Sequence, residues 1–442
     1  MAQPGRRTSL EERVEIGERW EAGKTDPEIA AAMGRPVWTV RKWRRKYQRE
    51  GRAALFSRMG RPASGALGQF PLELRDRIRE MRRENPGWGA STIQAELGKD
   101  PYWVGIRLPS RSRIAAFLKQ EKFTRKYERH SELPQPQTAV AQRPHEEWEV
   151  DAKGVIAIPA LGPVSLINIG DLVSRLKVDS LPCLNTSHPS TPDYHLILRR
   201  AFAHYGLPER ISLDHDSVFY DNASASPYPT TLHLWLIALG VVVRFIKKRP
   251  PAEHSFIERM HQTIVQQAIV GQEFPVGEAL QQRLTDRVDF LNLHLPCRTL
   301  GGQPPLVAYP QAQHSARPYR LEREKEMLDM QRVYAYLAQG RWFRQVSSQG
   351  QFSLGAHRYG IGRDFADQTV EITFDSLTRE LICLSEDGKQ ETRLPVRGLA
   401  KSNLMGELSP LLSLPAYQLA LPFSLSAWRE MMMCNDLTGT TL

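Results

Sequence analysis

The sequence predicts a multidomain α/β protein, with helical modules first, an α/β core in the middle and a small β-barrel near the C-terminal end. Three observations predict this order. Apolar residues repeat at helical spacing before residue 123. Strand-like and helix-like apolar runs alternate between residues 145 and 312, and short alternating runs follow residue 343. A chain of 442 residues is long enough for two to four such domains.

Basic residues are concentrated at the N-terminal end. Residues 1–130 contain 29 Lys or Arg and 16 Asp or Glu, a net charge of +13, whereas the whole chain carries +10. The N-terminal end is therefore the part suited to hold a polyanion. Four scattered cysteines indicate neither a zinc site nor a disulfide framework, and no apolar run reaches membrane-spanning length. We expect a cytoplasmic, nucleoid-associated protein without a signal peptide.

Residues 8–50 predict three helices, with Asp26 as the candidate N-cap of a short second helix. A short helix followed by a basic one is the arrangement of a helix-turn-helix DNA-binding domain. Val37, Val40 and Trp43 recur every three residues and predict the buried face of the third helix. The basic residues that this leaves toward solvent or phosphate are Arg41, Lys42, Arg44, Arg45 and Lys46. The alternative is a solvated basic face without DNA.

A second helical unit is predicted after a connector rich in Gly, Pro and Ser at residues 60–65. It contains Trp88-Gly89-Ala90 and, later, Ser110 to Arg113, in which Arg111 and Arg113 are candidate DNA contacts. This unit either reads DNA beside the first one, or serves for packing or dimerisation. The proline-containing segment that follows predicts an extended linker.

Six strands and three helices are predicted in the central region. The strands are expected at residues 147–150, 155–157, 164–169, 176–178, 210–214 and 241–246, and the helices at 194–205, at 232–239 and from Ala252 to about 270. Strands with interleaved helices predict a mixed sheet.

Three carboxylates occupy positions suited to metal chemistry within this region. Asp151 and Asp214 end predicted strands, and Glu258 lies on the helix after Pro250-Pro251. Mg²⁺ and Mn²⁺ prefer carboxylate oxygens, and rigid strand ends can hold two ions about 4 Å apart around one phosphate. Because three unpartnered carboxylates repel one another, the arrangement predicts that cations neutralise them.

The region from 145 to 310 resembles the catalytic core of the retroviral-integrase superfamily, the DDE transposases and integrases with an RNase H-like fold. The segment Ser255–His261 matches the surroundings of the family's glutamate. After Asp214, the aromatic residue expected five positions on is Phe219, but His215-Asp216 stands where the family has Asn-Gly. Further matching segments are Gly170–Arg175, Asn292–His294 and Gly301–Pro305. Each piece alone is weak, and the set is specific.

The resemblance implies a Mg²⁺-dependent polynucleotidyl transferase of the bacterial insertion-sequence type, with N-terminal helix-turn-helix domains. Asp151, Asp214 and Glu258 would be both its catalytic residues and the ligands of two Mg²⁺ ions, which Mn²⁺ can replace. The implied partners are double-stranded DNA, from element ends and target, and further copies of the chain. The basic run Lys247, Lys248 and Arg249 would lie beside the site and contact the DNA backbone.

Other acidic residues compete for these roles. Asp216 could replace Asp214, although Phe219 keeps the family's offset from Asp214. Glu253 could replace Glu258, but an acid in the first turn of a helix is favoured by the helix dipole alone. Asp171 is expected to be structural, with Arg175 as its partner. For His261, one turn after Glu258, contact with the scissile phosphate and an ordinary surface position are both open.

Four alternating runs near the C-terminal end predict a barrel, which resembles the SH3-like domain of integrases. The apolar patches after Ser402 predict a tail that either packs on the body or docks an accessory protein. The predicted segments are 1–59 and 66–123 (helix-turn-helix domains), 124–144 (linker), 145–312 (catalytic core), 313–342 (helical connector), 343–400 (barrel) and 401–442 (tail).

These observations predict a DNA transposase that binds terminal repeats, nicks 3′ ends and joins them to target DNA. A DNA-binding regulator with an inactive core is the alternative, which the departure at His215-Asp216-Ser217 keeps open. A nuclease without strand transfer is a third hypothesis, against which the tandem DNA-binding modules argue.

Overall fold

The computed structural model describes residues 8–55, 65–124, 141–221, 224–246 and 255–406. The chain divides into two compact units. One comprises Met1–Glu80 with Pro109–Arg125, and the other comprises Met81–Leu108 with Lys126–Leu442. In the ranges given, no helix combines the length and apolarity that crossing a membrane requires.

The first unit begins with a three-helix domain whose predicted helices are confirmed. They are α1 (Leu10–Glu21), α2 (Asp26–Met33) and α3 (Val37–Glu50). Ser9 and Glu12 form a capping box at the start of α1, and Gly34 ends α2 in the left-handed conformation. The buried centre contains Ile16, Ile29, Ala30 and Val40. Val37, predicted to be buried, is 37% exposed and contributes little to it.

Three further helices follow, α4 (Leu72–Glu84), α5 (Ala90–Lys99) and α6 (Arg111–Gln120). The start of α4 and all of α6 belong to the first unit, in which Arg79 pairs with Glu121 at 3.0 Å. The end of α4 and all of α5 belong to the second unit. The predicted boundaries of the second helical domain thus differ from the observed division, and most of the predicted linker (125–140) lies outside the described residues.

The second unit is built around a five-stranded mixed sheet in the order β3-β2-β1-β4-β5. Its strands are β1 (Glu147–Ile158), β2 (Gly162–Asp171), β3 (Lys177–Leu184), β4 (Arg210–Leu213) and β5 (Val242–Phe245). The first three strands pair antiparallel, and β1, β4 and β5 run parallel. The two strands predicted between residues 147 and 157 are one strand, interrupted between Lys153 and Ile156 by a register shift.

Helices cover both faces of this sheet, which explains the alternation along β1. On one face Trp148 and Val150 share a buried cluster with α7 (Thr191–Tyr205) and α8 (Thr231–Ala238). On the other face α9 (Ser255–Ile264) and α10 (Gly277–Leu293) pack on β2 and β3. Since strand side chains alternate, Glu147, Glu149 and Asp151 all belong to the α9 face.

The C-terminal part of this unit shares the buried cluster of α7 and α8. Its elements are α11 (Pro305–Ala308), α12 (Glu324–Met327), α13 (Met330–Leu337), β6 (Trp342–Gln345), β7 (Gln351–Leu354), β8 (His357–Gly360), β9 (Thr369–Asp375), β10 (Glu380–Leu384), β11 (Glu391–Pro395) and α14 (Lys401–Met405). The described strands form a four-stranded sheet, β11-β10-β9-β6, and a β7-β8 hairpin. Closure into a barrel stays a prediction, and the tail after residue 406 lies outside the described residues.

A buried ion pair joins the predicted connector to the core. Arg199 on α7 donates to Glu324 at 2.7 Å, and Trp235 Nε1 donates to the same carboxylate at 2.8 Å. Arg199 also donates to the carbonyl of Met405. Glu324 is fully buried, so the segment predicted as one charged helix from Leu321 to Leu337 is instead a set of short helices packed into the core.

Gly170 on β2 sets how closely α9 approaches the sheet. A Cβ at this position would lie 2.6 Å from Phe256 and 3.2 Å from the Met260 sulfur. Gly170→Ala should therefore push α9 away and lower the free energy of unfolding by roughly 1–3 kcal/mol, measured by urea unfolding. Gly154→Ala on β1, where no heavy atom lies within 4 Å, is the control and should change little. Equal effects of the two substitutions would contradict this packing argument.

Candidate active site

Asp151 and Asp214 are brought together by the parallel pairing of β1 and β4. The register pairs Glu147 with Arg210 and Glu149 with Ser212. Continuing it by two residues places Asp151 beside Asp214, on the same face. Neighbouring strands are about 4.8 Å apart, so these two carboxylates occupy adjacent positions, Asp214 directly after β4 and Asp151 within β1, where the sequence had predicted a strand end.

The helix that carries Glu258 is attached to the same strand. Glu149 accepts a hydrogen bond from the backbone N–H of Ile257 at 3.1 Å, in the first turn of α9. His261 Nε2 lies 3.0 Å from Asp151 Oδ2, and His261 Nδ1 lies 2.6 Å from Asn168 Nδ2. A neutral imidazole satisfies both contacts by donating to the carboxylate and accepting from the amide. His261 is 4% exposed, so the surface position left open by the sequence is wrong.

Glu258 is exposed and precedes His261 by three residues. Three residues correspond to nearly one helical turn, about 4.5 Å along the axis, so Glu258 lies on the side of α9 that reaches Asp151. In the described parts of the chain, no three His, Cys, Asp or Glu side chains are close enough to hold one metal ion. The fold therefore places Asp151, Asp214 and the Glu258 helix at one edge, without gathering the three carboxylates into a formed site.

The loop after β4 is organised by two aspartates. Asp214 Oδ1 accepts a hydrogen bond from the N–H of Asp216 at 3.0 Å, and Asp216 Oδ1 accepts one from Val218 at 3.0 Å. Asp216 thus caps the turn. Phe219 is buried against the Tyr194 ring, with 4.5 Å between ring centres, which gives the aromatic residue of the resemblance a structural role.

Tyr194 lies near several of these acids. Burial, and then the negative charges of Asp216, Asp214 and Asp151, raise the pKa of its hydroxyl. The three carboxylates therefore all lie within electrostatic range of the Tyr194 hydroxyl. Carboxylate oxygens are the donor type that suits Mg²⁺ or Mn²⁺, so the residues present at this edge fit the expected ions.

The other two acidic candidates differ in outcome. Asp171 is buried and accepts hydrogen bonds from the N–H of His145 (2.7 Å) and from both the N–H and the hydroxyl of Ser174 (2.7 and 2.6 Å). Its role is structural as expected, but these contacts, and not an ion pair with Arg175, explain its burial. Glu253 lies outside the described residues, as do Lys247, Lys248 and Arg249.

Glu149 is a site residue that the sequence interpretation missed. It is 2% exposed, and burial raises its pKa to about 7, with the charge of Glu147 adding to the shift. Glu147 is also buried but is paired with Arg210 at 2.8 Å and with Arg244. The available signal was the spacing Glu147-x-Glu149-x-Asp151, which places three acids on one face of a strand.

A basic face on α3 forms the second candidate site. Arg41, Lys42 and Arg45 are exposed and lie on one side of the helix. Trp38, one turn earlier on that side, is 69% exposed. An exposed indole surrounded by cations is unusual for a solvated surface, and the sequence signal for it was the helical spacing of residues 38, 41, 42 and 45.

The other basic candidates on this helix are held within the domain. Arg44 donates to Asp26 at 2.7 Å, so Asp26 positions α3, while Thr25 and Glu28 form the cap predicted for Asp26. Lys46 has its amine 5.2 Å from the centre of the Trp43 ring. These two side chains stabilise the domain. Arg41 also donates to Asp26, at 3.4 Å, but keeps 53% of its side chain exposed. Together with the exposed Lys42 and Arg45 it remains accessible to a ligand.

The two arginines of α6 are exposed at its first turn. Arg113 lies over the Phe70 ring at 5.7 Å, and Arg111 precedes it by two residues. Both side chains are exposed, and their contact with DNA stays a prediction.

Comparison with known families supports the assignment of the N-terminal region. Two family models, each described as a homeodomain-like domain, match residues 7–56 and residues 39–118. The N-terminal helices form helix-turn-helix domains. The first match covers α1 to α3, and the second extends from α3 to α6.

Among solved structures, the chain is similar to integrases. The catalytic core of BIV integrase matches with 12% identity and a TM-score of 0.28, covering 38% of this chain and 96% of that one. The HTLV-2 integrase core, determined with magnesium, matches with 12% identity and a TM-score of 0.28, and the match covers 38% of this chain and 97% of that one. The third structure is a simian T-cell lymphotropic virus intasome in complex with PP2A regulatory subunit B56 gamma. It matches with 12% identity and a TM-score of 0.31, and the match covers 70% of this chain and 97% of that one. These scores are low, and the strand register and side-chain contacts define the site independently of them.

The raised pKa of Glu149 makes a prediction about stability. A carboxyl with a folded-state pKa near 7 binds its proton more tightly in the folded than in the unfolded state. The free energy of unfolding should therefore fall, by about 3 kcal/mol, as the pH rises from about 4.5 to about 7. In Glu149→Gln this part of the pH dependence should be absent. Urea unfolding of both proteins in chelator measures it, and identical pH profiles would contradict the assignment.

Proposed function

We propose that the protein is a DNA transposase with an RNase H-like catalytic core. Its helix-turn-helix domains bind the ends of a mobile element, and its core cleaves those ends and joins them to target DNA. The C-terminal strands form an SH3-like barrel in this proposal. Two ends must be cut and joined together, so the active form contains at least two copies of the chain on DNA.

One observation carries the catalytic part of the proposal. The β1–β4 register places Asp151 beside Asp214, while His261 ties the Glu258 helix to Asp151 at 3.0 Å. An aspartate within β1, an aspartate directly after β4 and a glutamate on the neighbouring helix form a set of the kind that two-cation phosphoryl transfer requires. In a purely structural core, three such acids would carry a repulsion with no benefit.

Asp151, Asp214 and Glu258 would hold two Mg²⁺ or Mn²⁺ ions. When bound, such ions supply Lewis-acid stabilisation of the charge on the reacting phosphate and a lowered pKa for bound water. The chain's own residues prepare the ligands. His261 and Asn168 fix the orientation of the Asp151 carboxylate, and the Asp216 N–H fixes that of Asp214.

The proposed reaction has two steps of the same kind. Water attacks a phosphodiester at the element end, and the bond to the 3′ oxygen breaks, leaving a free 3′-OH. That 3′-OH then attacks a phosphodiester of the target, forming one new P–O bond while releasing one target 3′-OH. Neither step requires a covalent bond between protein and DNA.

A DNA-binding regulator with an inactive core is the second candidate function. Two observations favour it. The described side chains include no ready group of three metal-binding acids, and His215-Asp216 replaces the Asn-Gly of the family pattern. Such a protein would bind element ends through α3 and α6 but catalyse nothing.

Substitution of the helix glutamate distinguishes the two functions. In the presence of Mg²⁺ or Mn²⁺, wild type should join a pre-nicked element-end oligonucleotide to plasmid DNA. Glu258→Gln should lower this rate by at least about 10³-fold because it removes a proposed ligand. Glu278→Gln is the control, since Glu278 is also an exposed acid in the first turn of a helix. Gel analysis of the joined product measures all three.

The outcomes separate the hypotheses. If no protein joins or cuts DNA while all bind the end tightly, the regulator is correct. Activity that survives in Glu258→Gln would move the third ligand elsewhere, and Glu253→Gln is the next variant.

The exposed face of α3 should divide into phosphate-binding and base-reading parts. The N-terminal residues of a recognition helix contact base edges, so Trp38→Ala should weaken binding to a duplex selected from a random library but not to random duplex. Arg45→Ala should weaken both, and lower the slope of log affinity against log salt by about one. Fluorescence anisotropy measures the affinities, with Arg19→Ala on α1 as the control. If Trp38→Ala lowers the affinity for both duplexes equally, Trp38 does not read bases.

A further inference from the structure

The Glu258 helix continues into an unusual segment. After α9 ends at Ile264, Val265–Ile269 forms a π-helical turn, in which the N–H of Val270 donates to the carbonyl of Val265 at 3.0 Å. Such turns are rare and occur often at functional sites. This one widens the helix about two turns after Glu258.

The segment between α4 and α5 packs closely against this turn and forms hydrogen bonds with it. Trp88, which is buried, donates from Nε1 to the backbone carbonyl of Gln267 at 3.2 Å. The Gln267 side chain donates to the hydroxyl of Thr92 on α5 at 2.9 Å. At Gly87 a Cβ would lie 1.9 Å from the carbonyl oxygen of Gln266, so only glycine permits this approach of the two backbones.

An arginine of α10 closes the contact. Arg287 is buried, donates to Gln267 Oε1 at 2.7 Å and forms an ion pair with Glu96 of α5. Its guanidinium lies 4.5 Å from the centre of the Trp88 ring. The guanidinium, the indole and the amide therefore form one buried network of direct contacts, and the geometry of a buried polar network is strongly specified.

We propose that Trp88 and Gln267 are positioning residues that hold the Glu258 helix in its place over Asp151. This inference rests on the proposed function, in which Glu258 is a ligand. Gln267 lies nine residues after Glu258, about 13.5 Å along a helix, and Glu149 and His261 hold the other end. The segment of residues 85–97, predicted from sequence as part of a DNA-binding domain, thereby sets the geometry of the catalytic edge.

Trp88→Phe tests the proposal by removing the N–H while keeping an aromatic ring. The kcat for strand transfer should fall about 10- to 100-fold, as expected for a misplaced catalytic group, with KM and DNA affinity unchanged. Amide hydrogen exchange in residues 257–264 should become faster, whereas exchange in β1 and α7 stays as in wild type. Thr92→Val, which removes the hydroxyl that accepts from Gln267, should give a smaller change of the same kind. Thr92→Ser, which keeps a hydroxyl, should behave like wild type.

Trp103→Phe is the matched control. Trp103 is a buried tryptophan in the same unit, but its Nε1 donates to no atom of the described residues, so this substitution removes no hydrogen bond. If Trp88→Phe and Trp103→Phe change exchange and kcat alike, or if exchange rises throughout the unit, the positioning role is wrong. If wild type shows no activity, the proposed function fails. Faster amide exchange confined to residues 257–264 in Trp88→Phe would still support the role of Trp88 in holding the Glu258 helix.

Discussion

The architecture of the proposed catalytic edge depends on three acidic side chains that share one face of β1. Glu147, Glu149 and Asp151 recur every second residue, so neighbours are about 7 Å apart in the interior of the protein. Each is accommodated differently. Glu147 is neutralised by Arg210 and Arg244.

The other two acids determine the position of α9. Glu149, whose pKa near 7 allows it to remain largely protonated below neutral pH, bonds the first turn of that helix. Asp151, at the open end, bonds His261 on the next turn but keeps 24% of its side chain exposed. Neutralisation by protein groups thus decreases along the strand, and the last acid is the one accessible to an external cation.

Much of this arrangement was predictable from local pattern. The helix around Glu258 and the strand before Asp214 follow from patterns within about ten residues, and the aromatic residue at Phe219 follows from the family resemblance. For Glu149, the alternation of Glu147, Glu149 and Asp151 shows that the three acids share a face, but it does not show that a helix covers that face and buries Glu149. Glu324 presents the same difficulty, since its partner Arg199 is 125 residues away in the sequence.

The basic helix shows the same limit at short range. Arg44 and Arg45 are adjacent and chemically identical, yet of the two only Arg44 faces Asp26 and forms an ion pair within the domain. The Trp88 segment shows, for apolar residues, that local pattern does not identify a side chain's partner. Its pattern resembles a helix-turn-helix, but the indole is directed at Gln267, 179 residues later. Periodicity identifies a buried side chain without identifying what buries it.

The buried ion pair of Arg199 has a consequence for how the chain acquires its structure during synthesis. Translation proceeds at roughly 5–20 residues per second, so α7 leaves the ribosome roughly 6–25 seconds before Glu324, which follows 125 residues later. Until then the guanidinium has no carboxylate, and a buried arginine without its partner costs roughly 3–5 kcal/mol. The part of α7 that carries Arg199 should therefore remain immature on the ribosome, and a fragment that stops at residue 312, which lacks Glu324 and Met405, would retain this defect permanently.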